Sequence, residues 1–251
     1  VPSLEGIRVL ISGATSGLGL AMARALVESG ADVAVTSRDR ERAHRAAAEL
    51  GSGAHGFELD VRNELSVTAC VNQVQERLGP IDVLVNNAGI GMRTVNPRFL
   101  TEPQPFWEVT PAGFRDVLET KATGCFLLAR EVVPRMLDRG AGRIVNISMN
   151  EQTMIRRGFV PYGPSGAAVD ALSRVMAADL QDTPVRVNLL LPGGATHTGM
   201  IPPEALEQVR GRLLDPGIMG PPIVWLASPD AADVHDQRIA ATEFEEWVRT
   251  R

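Results

Sequence analysis

A chain of 251 residues, 44% hydrophobic and 22% charged, carries enough apolar material to fill the core of one large α/β unit or two small ones. A net charge of -5, a sequence pI near 5.5 and scattered Lys and Arg argue against a nucleic-acid partner. Two distant cysteines, Cys70 and Cys125, and four histidines without ligand spacing argue against a disulfide framework and a metal site.

The run from Val1 to Arg8 lacks the basic and apolar regions of a secretion signal. No apolar run approaches the ~18 residues of a bilayer span. A cytoplasmic protein without a membrane partner is expected.

Short apolar runs alternate with helical periodicity. Strands are predicted over 7–11 and 32–36, with a helix over 18–28 between them that ends at Gly30. A helix over 40–50 and a strand over 56–59 follow, then a helix over 66–78 and a strand over 81–85. A long helical stretch runs from Pro111 to Leu137. A strand over 143–147, a helix over 162–180 and a strand over 185–190 complete the pattern. This alternation predicts an α/β fold: a single doubly wound Rossmann domain over 1–251, with a parallel sheet and helices on both faces. Two connections are long. Residues 91–110 are rich in Pro and aromatics, and residues 196–222 carry Pro202, Pro203, Pro216, Pro221 and Pro222. Both are expected at the carboxyl edge of the sheet, where open α/β folds bind ligands.

Ser12-Gly13-Ala14-Thr15-Ser16-Gly17-Leu18-Gly19 joins the first strand to the first helix. Glycines there permit a tight turn and close backbone approach to a diphosphate, and the helix N-terminus adds N–H donors. The spacing of Gly13, Gly17 and Gly19, with Asn86-Asn87-Ala88-Gly89 after the fourth strand, resembles the short-chain dehydrogenase/reductase family over nearly the whole chain. Asp60-Val61 matches the family's adenine-contacting Asp, and Pro192-Gly193 its nicotinamide-side turn. The resemblance implies a nicotinamide dinucleotide cofactor, a small-molecule substrate and a homodimer or homotetramer. Phe126-Leu127-Leu128 and Val169, Ala171 and Leu172 suit such an interface or a core.

Ser37 and Arg38 follow the second strand, where the 2′-position of the adenine ribose is read. A hydroxyl beside a guanidinium suits a phosphate, so NADP(H) is favoured over NAD(H).

The family's catalytic set of Tyr, Lys, Ser and Asn is mostly replaced. Tyr162 matches the Tyr, but Gly166 stands four residues on in place of Lys. Thirteen residues before Tyr162 is Met149 instead of Ser, and strand alternation turns the neighbouring Ser148 away. Lys121 stands at the Asn position. Either Lys121 fills the volume left by Gly166 and restores a charge near Tyr162, or it reaches solvent or pairs with Glu119 or Glu151. An unperturbed Tyr with pKa about 10 is ionised in only about one molecule in a thousand at pH 7, which favours carbonyl reduction over alcohol oxidation. Met149, Met154, Phe159, Met200 and Trp107 are candidates for an apolar substrate pocket, or for core. His197 is a candidate acid or base, or a solvated loop residue. Thr198 is a candidate carboxamide contact. Three functions stay open: an NADP(H)-dependent carbonyl reductase, a non-redox enzyme such as a dehydratase, cyclase or isomerase, and a non-catalytic cofactor-binding protein.

Overall fold

The computed structural model describes residues 2–202, 211 and 213–251; Val1, Pro203 and the rest of 203–210, and residue 212 lie outside the described residues. Seven parallel strands form one sheet in the order β3-β2-β1-β4-β5-β6-β7. They are β1 (Arg8–Ile11), β2 (Asp32–Ser37), β3 (Ala54–Glu58), β4 (Val83–Asn86), β5 (Gly142–Ile147), β6 (Val185–Leu191) and β7 (Arg238–Ala240). The order reverses between β1 and β4, and the crevice beyond their carboxyl ends is where such sheets take ligands.

Strand alternation divides the core into two layers. Val9, Ile11, Val33, Val35, Val83 and Val85 face α1 (Gly17–Glu28) and α8 (Gly220–Ala227) on one side. Leu10, Ala34, Leu84, Ile144 and Val187 face α3 (Glu64–Leu78), α5 (Gly124–Arg139) and α7 (Tyr162–Asp179) on the other. Because both faces are covered, the strands read as continuous apolar runs.

The stretch predicted as one long helix is three segments. α4 (Pro111–Leu118) passes through a π-helical turn, Glu119–Thr123, into α5, which stops at Gly140 in the left-handed conformation (φ 75°). The π-turn carries Lys121, and such turns often mark functional positions. Periodicity also missed β7 and the closing helix α9 (Phe244–Arg249). Pro221 and Pro222, expected in a loop, stand in the first turn of α8, where a missing N–H costs nothing. The other α-helices among the described residues are α2 (Arg40–Leu50) and α6 (Glu151–Met154). The two long connections meet, as Arg93 donates to the Gly199 carbonyl at 2.6 Å. Among the described residues no helix is long and apolar enough to cross a membrane.

Leu128 and Val169 are core residues, whereas Phe126, Phe114 and Val175 keep 45%, 42% and 58% of their surface exposed. Cys70 and Cys125 are buried, and burial raises both thiols to about 12. Only roughly one thiol in ten thousand is then ionised at pH 8. Ellman's reagent at pH 8 is expected to label neither cysteine within an hour in the native protein, and both after unfolding in guanidinium.

Candidate functional site

The opening turn is held from behind. Ser12 Oγ accepts from the backbone N–H groups of Asn87 and Ala88, each at 3.0 Å. Asn87 Nδ2 donates to the carbonyls of Ser12 (3.1 Å) and Gly13 (2.9 Å). Thr36 Oγ1 donates to the Ile11 carbonyl and accepts from Gly13 N–H. Gly13 (φ 68°) and Gly17 (φ 55°) adopt the left-handed conformation. A Cβ on Gly19 would stand 2.4 Å from the Gly13 carbonyl oxygen and 2.5 Å from Asn87 Nδ2, so no other residue fits.

The start of α1 is chemically unfinished. Asp39, Asn63 and Thr110 cap α2, α3 and α4 through their side chains. Ser16 makes no side-chain cap to α1, and the first turn holds no acidic residue. The first N–H groups of α1 thus present unpaired donors and a positive dipole end, which fit a diphosphate. Thr15, Ser16 and Leu18 complete this turn, with Ser16 exposed. Thr198 Cγ2 packs 3.2 Å from where a Cβ on Gly17 would be, so the 196–200 segment reaches the same turn.

Past the end of β2, Ser37 is half-buried and Arg38 exposed. Asp39 caps α2 by accepting from Arg42 N–H at 3.0 Å, which commits its carboxylate to the helix. Asp60 lies in a fork of Arg62, at 3.1 and 3.0 Å. That hydrogen bond, opposed by burial and aided by the charges of Arg62 and Arg38, holds the Asp60 carboxyl below its usual range. Val61 is buried and packs against Gly124, where an added Cβ would lie 2.7 Å from its Cγ2. Gly89 follows the buttressing Asn87 and Ala88 at the crevice floor. Past the end of β6, Pro192 is buried and Gly193 has φ 91°. A Cβ there would meet Thr242 Oγ1 at 2.0 Å, and the Gly193 carbonyl accepts from Asn150 Nδ2 at 2.9 Å.

Tyr162 opens α7 with its hydroxyl 3.9 Å from the Met200 sulfur and its ring edge-on to Phe159 at 6.5 Å. Burial pushes its hydroxyl above the ordinary value of 10.0. The volume beside Gly166 is occupied by Met149, whose Cε, Sδ and Cγ lie 2.7, 2.8 and 2.9 Å from where a Cβ would be. Lys121 therefore does not fill that volume. It is buried all the same, reaching neither solvent nor Glu119 or Glu151. Its Nζ donates to the Ile147 carbonyl at 3.2 Å and lies 6.0 Å from the Tyr162 ring centroid. Desolvation lowers its pKa, while the charges of Cys125 and Asp170 act to raise it.

Ser148 corrects a second expectation. β5 ends at Ile147, so strand alternation no longer governs 148 and 149. Both side chains meet α7: Ser148 donates to Asp170 and Met149 packs on Gly166. Asp170 in turn accepts from Arg238 Nε at 2.9 Å, and Arg238 also donates to the Met149 carbonyl at 2.7 Å. Asp170 lies on the same helical face as Tyr162 and Gly166, a spacing that could have flagged it. Arg238 carries no such signal. Trp107 forms neither pocket nor core: it is 72% exposed and packs edge-on to Phe106 at 5.2 Å. Met154 is half-buried where α6 abuts α7, and its carbonyl oxygen comes within 2.1 Å of a Cβ on Gly163. His197 is exposed and lines a groove of about 720 Å³ with Gly17, Leu20, Arg24 and Arg93, a lining that does not include Tyr162.

A doubly wound sheet with an uncapped phosphate turn at its switch point and a tyrosine opening the α7 helix defines a dinucleotide-fold oxidoreductase. The short chain dehydrogenase model matches residues 8–208. The chain is 33% identical over 237 residues to the 3-oxoacyl-(acyl-carrier-protein) reductase of Vibrio cholerae, covering 92% of this chain and 93% of that one. It is 33% identical over 194 residues to the 5-keto-D-gluconate 5-reductase of Escherichia coli, covering 76% and 72%. Among solved structures, a gluconate 5-dehydrogenase from Burkholderia cenocepacia in complex with NADP and tartrate superposes with TM-score 0.82 at 28% identity, over 95% of this chain and 94% of that one. A 3-ketoacyl-(acyl-carrier-protein) reductase from Brucella melitensis complexed with NADH superposes with TM-score 0.83 at 29% identity, over 95% and 97%. The chain belongs to the short-chain dehydrogenase/reductase family.

Two variants test this geometry. Gly166→Lys is expected to lower the unfolding free energy by about 1–3 kcal/mol through overpacking, with most of the loss recovered in Gly166→Lys/Met149→Ala; equal urea midpoints for single and double variants would contradict the packing. For Lys121, a lowered folded pKa means the charged form is disfavoured in the folded state. Its cost is full below that pKa and fades as pH rises toward the ordinary 10.5. Lys121→Met is therefore expected to stabilise by about 1 kcal/mol or more at neutral pH, with a gain that shrinks toward pH 10 in urea titrations.

Proposed function

We propose that this protein is an NADP(H)-dependent carbonyl reductase whose proton chemistry rests on Tyr162 with Lys121 as the nearby charge. The observation that carries the reading is the unfinished N-terminus of α1, at a turn that Gly13, Gly17 and Gly19 allow to close tightly on Ala88, Thr198 and Asn87. Gly13 through Gly19 would hold the diphosphate. Ser37 and Arg38 would hold the 2′-phosphate, since Asp39 is spent as a helix cap. Asp60 and Val61 border the adenine side, Asn87-Ala88-Gly89 the floor, and Pro192, Gly193 and Thr198 the nicotinamide side. The cofactor, when bound, supplies hydride to the carbonyl carbon.

Tyr162 donates its hydroxyl proton to the carbonyl oxygen. Its raised pKa keeps the phenol protonated through neutral pH, the form that an acid requires. Lys121, 6.0 Å from the ring centroid, stabilises the phenolate left behind when it carries its proton. The same raised pKa leaves little phenolate for alcohol oxidation, so the balance favours reduction. The substrate is a small molecule. Exposed Phe126 and Val175 on α5 and α7 suit packing against a second copy.

Met149 and Gly166 also favour a second reading, in which the crevice holds the nucleotide without redox turnover, as a sensor or for a non-redox reaction. Ketone-dependent loss of NADPH absorbance decides between the two. Because Tyr162 stays protonated past its ordinary range, any fall in reduction below pH 10 is expected to follow loss of the Lys121 proton and to be absent in Lys121→Met, and Tyr162→Phe is expected to reduce kcat at least about a hundredfold. Arg38→Ala is expected to weaken NADPH binding about tenfold or more, with NADH affinity unchanged in fluorescence titration. Equal effects on both nucleotides would remove the 2′-phosphate assignment.

A further inference from the structure

We propose that the carbonyl substrate is an apolar ketone without hydroxyl groups beside its carbonyl, in contrast to the keto-sugar acid of the 5-keto-D-gluconate reductase relative. The inference rests on the reductase reading and names the substrate class of the same site.

Apart from Lys121 on the ring face and Arg156 behind Phe159, the surroundings of Tyr162 are carbon and sulfur. Its hydroxyl faces the Met200 thioether at 3.9 Å, and Met200 itself closes on Gly91, with Cγ 3.1 Å from where a Cβ would be. Its ring packs on a buried cluster of Met92, Phe99 and Phe159. Met149, the second residue past β5, fills the space against Gly166, while the Ser148 hydroxyl is turned to Asp170. Methionine side chains adapt their shape to apolar ligands and provide only a weak acceptor.

The polar side chains that face this end of α7 already have protein partners. Ser148 donates to Asp170, Asn150 to the Gly193 carbonyl and Lys121 to the Ile147 carbonyl. Tyr162 differs from them: its hydroxyl has only the Met200 sulfur beside it and is left to give one donor to one carbonyl oxygen. Each additional substrate hydroxyl would give up its water without a matched partner, which weakens binding roughly tenfold or more per group. An apolar ring or chain loses nothing on entering and displaces water from the thioethers.

The test compares 2-tetralone with 5-keto-D-gluconate and uncharged D-fructose. Cofactor holding is first established by NADPH fluorescence titration. Ketone affinity is then measured by equilibrium dialysis in the presence of NADP⁺, which needs no turnover, and kcat/KM separately with NADPH. Tetralone is expected to bind at least about a hundredfold more tightly than either hydroxylated ketone. Met200→Ser, at a position 36% exposed, is expected to narrow the ratio at least about fivefold, and Met149→Ser to narrow it further. Selective tetralone binding without NADPH consumption supports the substrate class while removing the reductase reading. Affinities within tenfold of one another, no tetralone binding, or a ratio unmoved by Met200→Ser would overturn the proposal.

Discussion

The architecture of the site depends on one close approach. Gly19 brings the first turn of α1 against the Gly13 carbonyl and the Asn87 side chain, at distances that leave no room for a Cβ. Asn87 binds the two carbonyls of the turn, and Ser12 binds back to the amides after β4. The two strands at the switch point are thereby locked together just where a helix begins with unpaired donors. Filling any of these glycines would separate the turn from its buttress and move the whole crevice.

Beside this turn, the start of α7 and the residues after β5 form one packed unit. Met149 and Gly166 are complementary: the long side chain from the end of β5 takes the space that the missing side chain on α7 leaves. A single change at either position therefore alters packing before it alters chemistry. The only ammonium near Tyr162 comes from the other side, through the π-turn that turns Lys121 inward. Burial acts on the pair in opposite senses, raising the tyrosine and lowering the lysine, and so favours their neutral forms.

The 196–200 segment links the two parts of the crevice. Thr198 rests on Gly17, Met200 on Gly91, and the Gly199 carbonyl on Arg93. These contacts tie the connection after β6 to both the opening turn and the connection after β4.

What the chain order alone determined were features with a local cause. The β–α alternation and the Gly13, Gly17 and Gly19 spacing are set by residues close in sequence, and each could be read from period and turn chemistry. The absence of Lys at 166 and of Ser at 149 was equally plain in the residues themselves. Only the tertiary structure decided where Lys121 and Met149 put their side chains, because that depends on a π-turn, on the strand ending at Ile147 and on a neighbouring helix. The same holds for Trp107, whose large apolar ring lies outside, for Arg238, which reaches Asp170 from a three-residue edge strand, and for β7 itself, too short to show a period. Local propensity is written along the chain, whereas the use of a volume is settled by whichever side chain arrives there across the fold.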